Sequence, residues 1–330
     1  MNKKLLTLTT RCGGLLLGVA GLLMAPLAQA QTPNYPTKPV KWVVGFPPGG
    51  AADILARLVA VKVSELWGQQ VVIENRAGAG STIAAELVAR APADGYTMLF
   101  VSSSHAAAAG LYPKLTYDSV NSFSAITVVA SAPQVLLATP NLPAKNLPEL
   151  LQLAKSRPGG LTYGSAGNGS TTHLAGELMW DNSGVQLSHI PYKGGAQALT
   201  DTISGQINLL FLSLPAALPQ IRSGKVRPLA VTSTKRSPSL PEVGAASETV
   251  PGYEATNWYA LLGPANMPRP LITKMASNIA TVLKDPQLIK RFSDEGAEIV
   301  GNSPEDAQRY LQSEVTKWTR VIKTIGVVAE

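Results

Sequence analysis

The sequence has 330 residues, of which 45% are hydrophobic and 15% charged, a composition typical of a soluble globular chain long enough for two compact domains. The formal net charge of +7 comes from singly scattered Lys and Arg residues, a pattern that argues against a nucleic-acid or anionic-membrane surface. The one cysteine, Cys12, lies near the amino terminus, so the rest of the sequence has no disulfide and no thiolate chemistry.

Residues 1–30 are predicted to be a secretory signal peptide. Three basic residues flank the start of the short apolar segment "CGGLLLGVAGLLMAPLA", and Ala28-Gln29-Ala30 supplies the small residues of a cleavage site. A lone transmembrane anchor is the alternative, which the short and glycine-interrupted segment disfavours. We therefore expect a periplasmic protein whose mature chain has a net charge of +4, because the removed segment contains no acidic residue.

The sequence between residues 39 and 140 alternates between strand and helix patterns. Runs of β-branched and apolar residues predict strands, and apolar residues at helical spacing predict helices; the strands are expected over 39–46, 69–76 and 96–104, the helices over 51–67 and 80–91. This order predicts a βαβαβ unit with a parallel sheet. The apolar stretch 123–140, interrupted at Pro133, is suited to cross from one domain to another.

The rest of the chain continues the alternation. Strands are predicted over 161–167, 186–195, 206–213 and 226–233, and helices over 146–160, 170–184, 196–205 and 214–224. The segment 235–254 is rich in Pro, Ser and Gly, which is typical of a linker. Two amphipathic helices are predicted to finish the chain, over 271–285 and over 304–325.

Two glycine-rich loops each join a strand end to a helix start. The first reads "FPPGGAAD", residues 46–53, and the second reads "GSAGNGSTTHL", residues 164–174. Ligands of open α/β folds bind at this edge of the sheet, where the free N–H groups of a first helical turn attract anions. Neither loop has the spacing of a dinucleotide-binding motif or of a P-loop. The pair predicts a small-anion site, although either loop alone is equally typical of a plain connection.

Seven segments follow one another in a recognisable order: "YPTKPVKWVVGFPPGGAADILAR", "VVIENRAGAGSTIAAELVARAPADGYTMLF", "LTYGSAGNGSTTHLAGEL", "IPYKGG", "GQINLLF", "VRPLAVTSTKRSPSLPEV" and "TNWYALLGPANMPRP". Together they resemble the solute-receptor component of tripartite tricarboxylate transporters, the Bug family. The resemblance implies a type II periplasmic-binding-protein fold of class α/β, in which two lobes close on a small carboxylate. It also implies that the protein has no catalytic machinery and delivers its ligand to two integral membrane subunits.

The chain path then predicts where the lobes divide. Lobe 1 is expected to comprise residues 32–133 and 250–330, and lobe 2 residues 134–249, with two crossings that form a hinge. No cofactor, metal ion or nucleic acid is expected as a partner. The protein is expected to be a monomer.

The resemblance also implies which residues contact the ligand. In the first loop these are Phe46, Pro47, Gly49, Gly50, Ala51, Ala52 and Asp53, and in the second Ser165, Ala166, Gly167, Asn168, Gly169, Ser170, Thr171 and His173. Further contacts are expected at other strand ends, from Ser103, Ser104, Tyr192, Lys193 and Phe211. Asp53 could cap the helix start or orient the loop, and we favour the capping role, because a carboxylate would repel a carboxylate ligand. For His173 we favour a structural role.

Two alanines before Asp53 remove side-chain hydrogen bonds, which disfavours a highly polar ligand such as citrate and favours a monocarboxylate or dicarboxylate with an apolar or aromatic body. A receptor that senses a ligand for a signalling partner is an alternative function on the same fold. An exported hydrolase is disfavoured, because no Gly-x-Ser-x-Gly motif occurs. A metal site is disfavoured as well, because His105, His173 and His189 are far apart in sequence.

Overall fold

The computed structural model describes residues 35–192 and 194–327, so the predicted signal peptide and Lys193 lie outside the described residues. The strands are β1 (Val40–Val44), β2 (Val71–Asn75), β3 (Thr97–Ser102), β4 (Phe123–Ala132), β5 (Gln134–Ala138), β6 (Thr162–Ser165), β7 (Ser188–Pro191), β8 (Leu209–Ser213), β9 (Arg227–Val231), β10 (Asn257–Pro264) and β11 (Glu298–Ile299). The helices are α1 (Ala51–Trp67), α2 (Thr82–Ala89), α3 (Ser104–Leu111), α4 (Leu147–Ser156), α5 (Thr171–Ser183), α6 (Gly195–Ser204), α7 (Leu214–Arg222), α8 (Arg269–Val282), α9 (Pro286–Asp294) and α10 (Pro304–Ile325).

The first sheet has the strand order β11-β4-β10-β3-β1-β2. Strand β1 runs parallel to β2 and β3, so all three end at the same edge of the sheet. Strand β10 is antiparallel to β3 and pairs Tyr259 with Ser102. Its first residues therefore lie beside the carboxyl end of β3, next to the loop that follows β1.

The second sheet has the strand order β7-β6-β8-β5-β9. Strand β6 runs parallel to β7 and β8, whereas β5 is antiparallel to β8 and β9. The chain passes from β4 in the first sheet to β5 in the second through Pro133 alone, and it returns between β9 and β10. The loop after β6 thus lies at the carboxyl edge of the parallel part of this sheet.

Alternating residues of the second sheet face two hydrophobic clusters. Leu136 of β5 and Phe211 of β8 belong to the cluster that continues into the first sheet, whereas their neighbours Leu137 and Leu212 belong to a second cluster. Because successive residues of a strand point to opposite faces, both faces of this sheet are covered. The apolar runs that predicted these strands follow from that double burial.

The structure agrees with most of the predicted elements and corrects others. Helices α1 and α10 have the predicted bounds. Strands β1, β2 and β3 form the predicted parallel unit, but the first sheet as a whole is mixed, because β10 is antiparallel to both β3 and β4 and β11 is antiparallel to β4. Helices α3 and α9 were not expected; α3 follows the hydroxyl-rich strand end directly, so the sequence gives no loop signal before it. Among the described helices, none combines the length and the apolar composition that crossing a bilayer requires.

Candidate functional site

A cavity of about 540 Å³ opens where the edges of the two sheets meet. Its walls come from the loops after β1 and β6, the end of β3 with α3, and the start of β10. The lining residues are Phe46, Pro47, Gly50, Ala51, Ala52, Gly80, Ser102, Ser104, Leu111, Tyr112, Ala166, Asn168, Gly169, Ser170, Thr171, Asn257 and Tyr259. Among the described residues, no Asp, Glu, Lys or Arg lines this cavity.

The first loop, residues 46–53, is held in shape by the buried carboxylate of Asp53. Gly49, whose φ of +82° suits glycine, donates its N–H to Asp53 Oδ2 at 2.9 Å. Asn75 at the end of β2 donates to Asp53 Oδ1 and to the carbonyl oxygen of Phe46, both at 2.9 Å. Asp53 is 3% exposed and points away from the cavity into this network. It orients the loop and does not cap α1, whose N-cap Gly50 has no side-chain hydrogen bond, so the capping role favoured from the sequence is wrong.

The charge of Asp53 is stabilised inside this network. Burial raises the pKa of the Asp53 carboxyl, but hydrogen bonds from Arg57, Gly49 and Asn75 outweigh burial and leave the pKa below its ordinary value. Arg57 reaches both carboxylate oxygens through Nε at 3.0 Å. Because Arg57 neutralises Asp53, the network adds little negative potential to the cavity.

The amino terminus of α1 offers backbone donors to the cavity. Its N-cap residue, Gly50, has no side chain to bond the first turn. Within the described structure, no acceptor takes the N–H groups of Ala51 and Ala52, and both residues line the cavity. Free N–H groups and the positive end of the helix dipole together form an anion site.

The second loop, residues 165–173, uses most of its polar groups on itself. Ala166 donates its N–H to Thr172 Oγ1 at 2.9 Å, and Ser170 Oγ donates to the carbonyl oxygen of Gly167 at 2.7 Å. Ser170 also caps α5 by accepting the N–H of His173. Gly169 donates its N–H to His173 Nδ1 at 3.1 Å. The N–H of Thr171, the first residue of α5, has no acceptor among the described residues.

Polar groups from the first sheet form the wall next to these loops. Ser102 Oγ and Ser104 Oγ are 2.9 Å apart, and Asn257 Nδ2 donates to the hydroxyl of Tyr259 at 2.9 Å. Asn257 Oδ1 in turn accepts a hydrogen bond from Ser103 Oγ. Burial raises the pKa of Tyr259 above its ordinary value, so its hydroxyl stays protonated and can donate to a ligand.

The structure brings together many of the residues predicted as ligand contacts. Those that line the cavity are Phe46, Pro47, Gly50, Ala51, Ala52, Ser104, Ala166, Asn168, Gly169, Ser170 and Thr171. Those that do not line it are Gly49, Asp53, Ser103, Ser165, Gly167, His173, Tyr192 and Phe211.

Three of the non-lining residues have clear other contacts. Ser165 Oγ bonds His189 Nε2 at 2.7 Å. The Tyr192 hydroxyl donates to Asp201 Oδ2 at 2.8 Å on α6. Phe211 is fully buried and packs edge-on against Tyr163 and Trp180 in the core.

Sequence reasoning missed several lining residues: Gly80, Ser102, Leu111, Tyr112 and Asn257. Leu111 and Tyr112 follow from α3, which was not predicted. Ser102 precedes the two predicted serines, and Asn257 is the second residue of a segment that carries the family resemblance but gave no predicted contact. Tyr259 is both buried and part of the lining. Among the described residues, no group of three or more His, Cys, Asp or Glu residues is placed to hold a metal ion.

Comparisons with known proteins agree with this arrangement. A family model described as the tripartite tricarboxylate transporter family receptor matches residues 55–327. Protein BugT of Bordetella pertussis is 33% identical and aligns with 94% of this chain and 97% of its own length.

Two solved structures extend the likeness to three dimensions. A Rhodopseudomonas palustris protein with adipate is 38% identical, with a TM-score of 0.77 over 89% of this chain and 99% of that one. MatC from Rhodopseudomonas palustris with bound malate is 30% identical, with a TM-score of 0.74 over 87% of this chain and 100% of that one. The expected α/β binding-protein fold is thereby confirmed.

Proposed function

The chain belongs to the tripartite tricarboxylate transporter receptor family and is a carboxylate receptor; we propose that its ligand is an aliphatic dicarboxylate held between the two loops. The single observation that carries this proposal is that the amino termini of α1 and α5 meet at one uncharged cavity. Each helix end carries a partial positive charge and free N–H groups, so each suits one carboxylate.

The chemistry of the cavity between the helix ends favours a methylene chain in the ligand. Phe46, Pro47, Leu111 and Tyr112 provide apolar surface there. Hydroxyl and amide groups lie on the wall next to β3 and β10, from Ser102 and Asn257, and on the second loop, from Asn168, Ser170 and Thr171. The relative with adipate supports such a ligand, and the relative with malate supports a shorter dicarboxylate as the nearest competitor.

The remaining parts of the function are proposals that build on family membership. We propose that residues 1–30 are cleaved on export and that the mature monomer works in the periplasm. Lobe 1, residues 32–133 with 250–330, and lobe 2, residues 134–249, would rotate about the crossing at Pro133 and close on the ligand. The closed form would then deliver the ligand unchanged to the two membrane subunits of the transporter.

Calorimetric titration of the exported protein with matched ligands tests the dicarboxylate proposal. Adipate and hexanoate have the same chain length and differ in one carboxylate, so their comparison isolates the second helix end. We expect adipate to bind at least about tenfold more tightly, because a charge-assisted hydrogen-bond site is lost with hexanoate. Citrate tests whether a more polar carboxylate binds, and benzoate tests whether a carboxylate with an aromatic body binds.

A double variant, Gly50→Trp with Gly167→Trp, fills the two loops and serves as the negative control. Adipate binding that is abolished in this variant supports the cavity as the binding site. Equal affinity for hexanoate and adipate would refute the two-ended ligand. Failure of every carboxylate to bind would refute the proposed function itself.

A further inference from the structure

The two loops share one hydrogen bond at the same helical position. In the first loop, the N–H of Gly49 is accepted by Asp53, the third residue of α1; in the second, the N–H of Gly169 is accepted by His173, the third residue of α5. Each donor lies one residue before the helix N-cap and each acceptor lies four residues after its donor. The same device therefore fixes both loops, but the acceptors differ in their proton chemistry.

The contacts of His173 determine where its proton lies. Because Nδ1 accepts the N–H of Gly169, that nitrogen carries a lone pair and the proton resides on Nε2. His173 Nε2 faces Glu177 Oε1 at 3.7 Å on the same helix. The imidazole is only 5% exposed, so this tautomer is enclosed by protein.

The titratable groups that face His173 are Glu177 on α5, His189 on β7 and Tyr163 on β6. The rings of His173 and His189 stack with centroids 3.9 Å apart and planes 9° from parallel, and Tyr163 stacks on His189 at 4.8 Å. The Tyr163 hydroxyl donates to Glu177. Burial raises the pKa of Glu177, but hydrogen bonds from His173 and Tyr163 outweigh it, so the pKa is lower than usual and Glu177 is ionised.

His189 is kept neutral in mild acid. Burial, followed by the charge that His173 acquires on protonation, lowers the pKa of His189 to about 4, and Glu177 opposes this shift only in part. His189 Nε2 meanwhile bonds Ser165 Oγ, which accepts the N–H of Gly167. Within the stacked pair, the ionised carboxylate of Glu177 lies beside Nε2 of His173.

We propose that His173 is a positioning residue that holds the second loop in its binding shape only while Nδ1 is unprotonated, so that ligand affinity falls as the medium becomes acidic. Protonation would place an N–H on Nδ1 opposite the N–H of Gly169 and remove the bond. Gly169 and its neighbours Asn168 and Ser170 line the cavity, so the change reaches the ligand directly. The part of this inference that concerns ligand affinity rests on the proposed function.

The direction of the pH effect follows from the protonation state that binding requires. Affinity is complete while His173 Nδ1 accepts the N–H of Gly169, and protonation of Nδ1 removes that acceptor, so affinity falls in the direction of acid. The first loop does not share this response, because its acceptor is a carboxylate whose pKa is below its ordinary value. The receptor would therefore release ligand in acid.

Two amide variants separate the hydrogen-bonding role of Nδ1 from the space that the imidazole fills. The amide oxygen of His173→Asn lies where Nδ1 lies and cannot be protonated, whereas the amide of His173→Gln reaches the place of Nε2 and leaves Gly169 without an acceptor. Adipate affinity of the full exported chain is measured at about pH 8 and about pH 6, a range in which imidazole titrates. We expect the wild type to weaken about fivefold between them, which is the loss of about one hydrogen bond.

We expect the Asn variant to have the wild-type affinity for adipate at the higher pH and to keep that affinity at the lower pH. We expect the Gln variant to bind adipate weakly at both pH values. Equal pH profiles for wild type and the Asn variant would assign the fall to other groups and overturn the proposal. So would a Gln variant that binds like the wild type. Any variant that fails to melt cooperatively is excluded from the comparison. The wild type and the remaining variant then still test the proposal.

Two measurements without ligand make this inference independent of the proposed function. Nitrogen NMR of the imidazole is expected to show an unprotonated Nδ1 on His173 at neutral pH. Hydrogen exchange of the Gly169 amide is expected to be slow in wild type and Asn variant and fast in the Gln variant. A protonated Nδ1, or equal exchange in all three, overturns the inference even if adipate binds. If no carboxylate binds the wild type, the proposed function fails and these two measurements still decide.

Discussion

The two loops around the cavity solve the same structural problem with different residues. The first loop, residues 46–53, is anchored by a carboxylate that a guanidinium and an amide also bond, and it leaves the N–H groups of Ala51 and Ala52 open to the cavity. The second loop, residues 165–173, is anchored by an imidazole, and its hydroxyl groups form hydrogen bonds with its own backbone. The two loops therefore share one anchoring hydrogen bond but differ in their properties. The first loop offers free backbone donors to the ligand, and the shape of the second loop depends on the protonation of its imidazole anchor.

The difference also concerns contact across the cavity. Leu111, at the end of α3 in the first half of the chain, lies against Gly169 of the second loop and is 6% exposed. No comparable contact to the opposite side is described for Gly49. The second loop thus contacts a residue on the opposite side of the cavity, whereas the first loop is held by Asn75 at the end of β2.

Removing the anchor of the first loop is expected to have the largest effect. In Asp53→Ala, the N–H of Gly49 and the amide of Asn75 lose a buried acceptor and Arg57 loses its partner, so the free energy of unfolding should fall by roughly 3 kcal/mol. Urea unfolding measures this loss. Asp53→Asn retains an acceptor for Gly49 and should lose clearly less.

The pKa of the Asp53 carboxyl determines the pH range in which this residue stabilises the folded state. Because the pKa of Asp53 is lowered in the folded state, its stabilisation is present above the ordinary carboxyl pKa of 3.8 and is lost only as pH falls below it. An alanine variant as stable as the wild type at neutral pH would show that the loop holds itself without Asp53.

A second source of acid sensitivity must be separated from the second loop, and it lies at His105. Burial lowers the pKa of His105 to about 4, opposed only in part by its bond to the carbonyl oxygen of Ser119. The folded pKa is below the unfolded value of 6.5, so stability is complete above that value and falls as pH drops towards 4. The expected loss by about pH 5 is about 2 kcal/mol.

His105→Gln keeps an N–H donor for Ser119 and cannot titrate, so its stability should fall less between neutral pH and mild acid. Unfolding free energies at several pH values measure the difference. The fall that remains in the variant includes that of His189, whose pKa is also lowered to about 4. Parallel curves for variant and wild type would exclude His105 as a source of acid sensitivity.

Much of this architecture can be predicted from the sequence, and the exceptions have a common cause. Helix α10 has its predicted bounds because Ser303 caps it by accepting the N–H of Asp306 and Pro304 begins it. Both loops were found because glycine clusters stand between a strand pattern and a helix pattern. These are local signals, carried by residues within a few positions of one another.

What could not be predicted depends on distant pairing. Asn257 and Tyr259 reach the cavity only because β10 inserts antiparallel between β3 and β4. The stack of His173 on His189 depends on how α5 packs against β7. No spacing in the sequence encodes either contact, so the polar wall and the imidazole pair were identified from the structure.

Backbone donors can be removed singly at the two helix ends, which tests whether both bind ligand. Proline is tolerated as the first residue of a helix, and Gly50 and Ser170 have the extended conformation that a following proline needs. Ala51→Pro and Thr171→Pro are each expected to weaken adipate binding about tenfold, with Ala51→Ser and Thr171→Ala as controls that keep the N–H. Hexanoate should respond to only one of the two proline variants. If neither changes the affinity for adipate, the helix ends do not hold the carboxylates.

The smallest expected effect compares the two donor glycines. Gly49 and Gly169 have φ values of +82° and +70°, so alanine at either should cost about 1 kcal/mol of stability, measured by thermal unfolding. A Cβ on Gly49 meets nothing within 4 Å, whereas a Cβ on Gly169 lies 3.1 Å from Leu111 Cδ1 and obliges that side chain to move. Gly169→Ala should therefore also weaken adipate binding a few-fold, because the contact across the cavity is disturbed, whereas Gly49→Ala should leave the affinity nearly unchanged. The reverse order of affinities would mean that the first loop, and not the second, governs closure of the cavity.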